Sequence, residues 1–166
     1  MKFHFSLILF LSVLSVKAQY NRQYNELGIG ADVAIPANSY MSKTYYAGIG
    51  GTVKLLVPLG INEALSLTAG LHNFIAKKNV ASDIVLNGMV GYRYSFYLND
   101  GSIYIEPKLG NTFISPKRNN FTYSGGIGHI FAEAWDLSLR YQSAITETKS
   151  DKLTFIGLNI SYNFPL

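Results

Sequence analysis

The chain has 166 residues, 48% of them hydrophobic but only 14% charged, with 12 Tyr, 10 Phe, 1 Trp and a formal net charge of +4. Soluble domains carry about 25% charged residues, so this chain lacks much of the usual aqueous coat, and its hydrophobicity excludes intrinsic disorder. Its 0 Cys exclude disulfides, thiol catalysis, a cysteine metal site and a lipoprotein anchor, and its length suits one domain.

Residues 1–18 read MKFHFSLILFLSVLSVKA. Lys2 is a short positive head, and the apolar stretch after it is shorter than the roughly 20 residues of a membrane helix. Val16 and Ala18 place small residues where signal peptidase cuts. The segment reads as a secretory signal peptide, with the mature domain at 19–166. Loss of Lys2 and Lys17 lowers the net charge from +4 to +2. No later stretch is continuously apolar, so a membrane location requires a closed barrel.

From Leu27 onward the period is two, the period of a strand with unlike faces. Leu27, Ile29, Ala31, Val33 and Ile35 share one face, against Gly28, Gly30, Asp32 and Ala34. Next, Tyr45, Ala47, Ile49, Val53, Leu55 and Val57 oppose Gly48, Gly50, Thr52 and Lys54. Leu65, Leu67, Ala69 and Leu71 oppose Ser66, Thr68, Gly70 and His72. Ile84, Leu86, Val90, Tyr92, Tyr94 and Phe96 oppose Asn87, Met89, Gly91, Arg93 and Ser95. The fifth segment sets Ile103, Ile105, Pro107, Leu109 and Phe113 against Glu106, Lys108, Gly110 and Thr112. The sixth sets Tyr123, Ile127 and Phe131 against Thr122, Ser124, Gly126 and Gly128. The seventh sets Trp135, Leu137, Leu139, Tyr141 and Ile145 against Asp136, Ser138, Arg140 and Gln142. The last sets Ile156, Leu158, Ile160, Tyr162 and Phe164 against Gly157, Asn159, Ser161 and Asn163. These are eight expected strands, long enough for the roughly 9–11 residues of a tilted membrane strand. Pro107 lacks an amide to donate, which predicts a local bulge.

The connections alternate in length. Gly60 to Glu63, Asn99-Asp100-Gly101 and the segment at Glu133 read as tight turns. Segments 36–43, 77–83, 115–120 and 146–152 read as longer polar loops. Turns at one end and loops at the other are the pattern of an all-β, eight-stranded antiparallel up-and-down transmembrane β-barrel. Turns and both termini then lie in the periplasm. The chain ends with the eighth strand, so no periplasmic peptidoglycan-binding domain is expected after it.

Alternation alone does not say which face is inside, and a soluble lipocalin-like carrier would point its apolar face inward around a ligand. The polar faces hold only Asp32, Lys54, Arg93, Glu106, Lys108 and Arg140 as obvious mid-strand charges, among many Gly and Ser. That suits a narrow lumen better than a wet exterior. Tyr45, Tyr94, Phe96, Trp135, Tyr162 and Phe164 gather near strand ends, as interfacial girdles require. The six charges are therefore expected inside, in one connected network with Arg93 and Arg140 as bidentate donors. The network plugs the barrel, and loss of Glu106 alone should cost roughly 3–5 kcal/mol.

The final strand alternates to Tyr162 and Phe164, which resembles the C-terminal signal read by the barrel-insertion machinery. The stretch Leu139-Arg140-Tyr141-Gln142, followed by Phe155-Ile156-Gly157-Leu158 through Tyr162-Asn163-Phe164, resembles the closing hairpin of the outer-membrane β-barrel-domain family. From about residue 24 to 164 the chain resembles small barrels of the OmpX and OmpA-transmembrane-domain type. The resemblance implies a monomeric barrel in a Gram-negative outer membrane.

Catalysis has little support in the residues. His4 lies in the signal, His72 faces the lumen by parity, and His129 shares the outward parity of Ile127 and Phe131. A metal site needs several converging ligands, and none is spaced for it, so neither metal nor cofactor is expected. Outer-membrane lipid A deacylases carry Arg-Tyr-x-His-x-Ser-Asn. Here Arg140-Tyr141 is followed by Ser143 at the His position and Ile145 at the Ser position. The Gly28-x-Gly30 and Gly48-x-Gly50 pairs lie inside strands, which excludes a dinucleotide fingerprint, and the scattered basic residues give no nucleic-acid surface.

Charge does divide the two ends. The expected outer loops hold Lys43, Lys77, Lys78, Lys117, Arg118, Lys149 and Lys152 against Asp83, Glu147 and Asp151, a net +4. The expected periplasmic turns hold Glu63, Asp100 and Glu133 and no basic residue. Lys77, Lys78, Lys117 and Arg118 are candidate contacts for lipopolysaccharide phosphates. The expected function is a structural or surface-interaction barrel with a plugged lumen.

Overall fold

A computed structural model describes residues 24–77, 82–98, 101–114, 118–132, 134–145 and 152–166. The strands are β1 (Glu26–Pro36), β2 (Tyr45–Pro58), β3 (Glu63–Ala76), β4 (Asp83–Leu98), β5 (Gly101–Ile114), β6 (Arg118–Phe131), β7 (Trp135–Ala144) and β8 (Thr154–Pro165). Each pairs antiparallel with its neighbour in sequence, and β1 closes on β8 from Glu26↔Pro165 to Pro36↔Phe155. Closure leaves no edge strand, so every ladder hydrogen bond is made within the chain, as hydrocarbon requires.

The alternation seen in the sequence becomes an inside and an outside. Ile29, Val53, Leu71, Val90, Leu109, Ile127, Leu139 and Leu158 all project outward and are exposed. The polar partners Asp32, Thr52, Lys54, Asn87, Glu106, Thr112, Ser161 and Asn163 are buried. A water-soluble barrel has the opposite arrangement, so lipid is the solvent this surface fits. The barrel interior is narrow enough to be filled by side chains.

Three local features depart from the sequence reading. Tyr45 points into the lumen rather than into the girdle, because a register shift between Tyr45 and Ala47 reverses the face at the start of β2 and turns Tyr46 outward. Pro107 causes no bulge. The β5–β6 register runs unbroken through Pro107↔Gly125, and the β4–β5 register is the same on both sides of a gap between Gly91↔Lys108 and Tyr94↔Ile105. The strand thus tolerates the missing amide by an interrupted ladder on one side. Finally, β6 begins at Arg118, which pairs with Ile114, so residues 118–120 of the expected loop are strand. Asn119 and Asn120 open the strand without apolar alternation, which removes the signal by which it would be read.

The β1–β2 connection holds a one-and-a-half-turn helix, α1 (Ser39–Thr44). Asn38 caps it by accepting from the Met41 amide at 2.8 Å, and the Asn38 amide donates to the Lys152 carbonyl at 2.5 Å. This ties the helix across to the β7–β8 connection and drives Met41, fully buried, into the loop-end mouth of the barrel.

Candidate functional site: the barrel lumen

At the turn end, β2, β4, β5 and β7 bring Lys54, Arg93, Glu106, Lys108 and Asp136 together. Asp136 is the hub. It accepts from Lys54 Nζ at 2.9 Å, from Arg93 Nη2 at 3.1 Å and from the Tyr104 hydroxyl at 2.5 Å. Glu106 takes Lys108 Nζ at 3.0 Å and the same Arg93 nitrogen at 3.4 Å. The Arg93 guanidinium also lies over the Tyr104 ring, 3.5 Å from its centroid. Tyr104 reaches this position because Gly128 stands opposite: a Cβ there would fall 2.3 Å from the Tyr104 ring. The glycines on the inner faces thus make room for large lumen side chains.

Further along the bore lies a second group. Arg140 Nη1 donates to Asp32, Arg140 Nη2 lies 3.3 Å from His72 Nε2, and Arg140 Nε donates to Gln142 at 3.4 Å. His72 Nε2 is 3.4 Å from Asp32, and His72 Nδ1 is 3.3 Å from Asn87. Gly126 and Gly157 flank Arg140; a Cβ on either would come within about 3 Å of it.

The six mid-strand charges thus lie in two groups among the described residues, rather than in one connected network. Lys54, Arg93, Glu106 and Lys108 meet through Asp136, while Asp32 and Arg140 meet around His72. Asp32 and Arg140 are level with His72, further toward the loop end than Asp136 at the start of β7. Between them is a cavity of about 20 Å³ lined by both groups, room for about one water. Neither arginine is bidentate to one carboxylate. Arg93 uses one nitrogen for two acids, and Arg140 spreads three nitrogens over three partners. Sequence reasoning placed Asp136 on the inner face but gave it no role. Strand parity reports which way Asp136 points, not which charges from other strands it meets.

Beyond His72 the lumen turns apolar. Phe74 and Phe155 meet edge to face at 5.6 Å, Tyr45 packs on Phe74 at 5.6 Å, and Val85, Ala34, Ala144 and Leu153 fill the spaces. The Met41 sulfur closes the plug from above and accepts from the Thr154 amide at 3.0 Å.

On the outer face, Trp135 stacks edge-on against Tyr162 at 5.3 Å and Tyr162 meets Phe164 at 4.8 Å. With Tyr94 and Phe96 they form an aromatic belt near the turn end. At the loop end Lys77 lies over the Tyr46 ring at 5.2 Å and Lys152 over Tyr123 at 5.7 Å. Arg118 opens β6. Lys78, Lys117 and Asp100, and the signal segment 1–18, lie outside the described residues. In the stretch compared above with lipid A deacylases, Ser143 is buried, with its hydroxyl 3.0 Å from that of Thr154. The described residues contain no group of three or more His, Cys, Asp or Glu placed to hold a metal ion.

The model of one family, described as the outer membrane protein beta-barrel domain, matches residues 6–164. The chain belongs to that family. It is an outer-membrane β-barrel protein of the Gram-negative envelope. No curated protein matches it. Among solved structures it is similar to the outer membrane enzyme PagL, with TM-score 0.61 at 16% identity, covering 84% of this chain and 99% of that one. It is similar to OprG from Pseudomonas aeruginosa, with TM-score 0.60 at 9% identity, covering 89% and 99%. Neisserial surface protein A gives TM-score 0.61 at 10% identity, covering 84% and 94%. At these identities the likeness is one of fold. A barrel of this shape carries an enzyme in PagL and a surface protein in Neisseria, so the role of this barrel has to be argued from its own residues.

Proposed function

We propose that this outer-membrane barrel is a closed, non-catalytic envelope protein with a structural or surface-interaction role. The observation that carries this reading is the blocked bore: two charged groups and an aromatic plug cross it in series, and a charge held this way resists displacement because an unpaired buried charge is costly. A buried Ser143 bonded to Thr154, with no histidine bonded to it among the described residues, supports a non-catalytic role, since a nucleophile needs a base within reach. In this reading residues 1–18 are removed on export, and residues 19–166 insert as a monomer. Both termini face the periplasm. Tyr162 and Phe164 at the end of β8 form the signal for the insertion machinery. The basic loop end, with Lys77, Lys78, Lys117 and Arg118, meets lipopolysaccharide phosphates.

Conductance and surface labelling test the proposal together. Purified protein should shift on a gel on heating in detergent and should give no steady conductance in planar bilayers. In intact cells, a Cys placed at Lys117 should label and one at Asp100 should not. Stable open channels would overturn the closed lumen, and the opposite labelling pattern would reverse the orientation.

A further inference from the structure

The turn end of the lumen is not filled. A cavity of about 380 Å³ opens there, walled by Leu56, Tyr97 and Ile130 and floored by Glu26, Arg93 and Ser95. Its volume lies within the range of small-molecule sites, about 300–1,000 Å³. Two of its charged groups are incompletely used. Arg93 is 2% exposed, yet its Nε and Nη1 have no hydrogen-bond partner, because both of its ion pairs go through Nη2. Glu26 shares the inward parity of Gly28 and Asp32, is half-buried, and makes no ion pair among the described residues. A buried donor without a partner costs about as much as a lost hydrogen bond, so a site that supplies one is stabilised by a ligand that completes it.

The charge balance restricts what that ligand can be. Lys54, Arg93 and Lys108 exceed Glu106 and Asp136 by one positive charge, and Glu26 in the same cavity offsets it, while Glu63, which also borders the opening, is engaged by the Tyr92 hydroxyl on the outer face. A simple anion would meet Glu26, and a simple cation would meet the surplus around Arg93. We propose that this vestibule binds a small zwitterion, an amino acid or short peptide, with its carboxylate on the free N–H groups of Arg93 and its ammonium on Glu26. Ser95 and Ser102, both buried at the wall, offer hydroxyls to the same carboxylate. The apolar wall takes a small side chain.

The test is an NMR titration of the folded barrel in micelles with the dipeptide alanylalanine. Saturable shifts should appear at the backbone amides of Ser95 and Ser102 and not on the outward faces of β6 to β8. N-acetylated dialanine lacks the ammonium, and dialanine amide lacks the carboxylate. Each should bind about tenfold or more weakly, the loss expected of one charge-assisted bond. The variant Glu26→Gln, at a half-buried position outside the ion pairs, should keep the dispersed spectrum of the folded barrel. It should lose the preference for dialanine over its N-acetyl form. Absence of saturable shifts at millimolar dipeptide, equal binding of all three probes, or an unchanged preference in Glu26→Gln would each overturn the assignment.

Discussion

The two halves of the lumen close the same narrow bore by opposite means. Toward the turns, Lys54, Arg93, Glu106, Lys108 and Asp136 fill it with charges that neutralise one another. Toward the loops, Met41, Tyr45, Phe74, Val85 and Phe155 fill it with apolar bulk. Charged packing depends on partner identity: the group holds only while each charge has its counter-charge. Apolar packing depends on volume: any side chain of similar size serves, and a void is what harms it. The charged half can therefore leave a vestibule beside it, since its cohesion is local and directional, whereas a gap of that size in the aromatic half would collapse or admit water.

The largest expected effect lies in the charged half. Asp136→Asn removes the negative charge that Lys54 and Arg93 share, replaces one accepting oxygen with an NH2 donor, and leaves three cations to Glu106. Urea unfolding from lipid vesicles should show a loss of about 3–5 kcal/mol. Glu106→Gln removes two contacts, one of them 3.4 Å long, and should lose less, about 1.5–3 kcal/mol. If Glu106→Gln proved the more damaging, Asp136 would not be the hub.

In the apolar half, Phe155→Ala should cost about 3 kcal/mol by the same measurement, most of it from the void. Phe155→Leu should recover much of this, a rescue for which the charged half has no equivalent. Lack of any recovery would show that the plug, too, depends on identity.

Two glycines sharpen the contrast at smaller cost. A Cβ on Gly128 would meet Tyr104 at 2.3 Å, and one on Gly48 would meet the Phe74 ring at 2.9 Å. Each alanine substitution overpacks its half and should cost about 1–3 kcal/mol. Gly128→Ala should cost more, because it also pushes the Tyr104 hydroxyl off Asp136. Double-mutant cycles with Tyr104→Phe and Phe74→Leu would separate the two. Coupling to Phe74 but none to Tyr104 would contradict the ranking.

Much of this was legible in the residues. Period two from Leu27 to Phe164 reports which side chains share a face, and that survives folding because successive Cβ atoms in a strand must alternate. It failed where the backbone breaks step. At Tyr45 a register shift carried an aromatic from the expected girdle into the plug. At Asn119 and Asn120 the strand starts in polar residues, where no apolar alternation marks it. Pro107 looked like a bulge, yet only its β4 side gives up the ladder.

The sequence by itself determined the strand number, the antiparallel order and the polar set that faces inward, because each follows from local periodicity and from the short reach of turns. Tertiary structure alone decided who pairs with whom. Asp136 and Lys54 are 82 residues apart, and Arg140 and Asp32 are 108 apart, each pair on strands that are not neighbours in the barrel. Their meeting depends on strand tilt and on the height at which each residue enters the lumen, which closure of the barrel sets. One network became two, and an open vestibule remained beside them, because those heights differ by only a few residues along the strands.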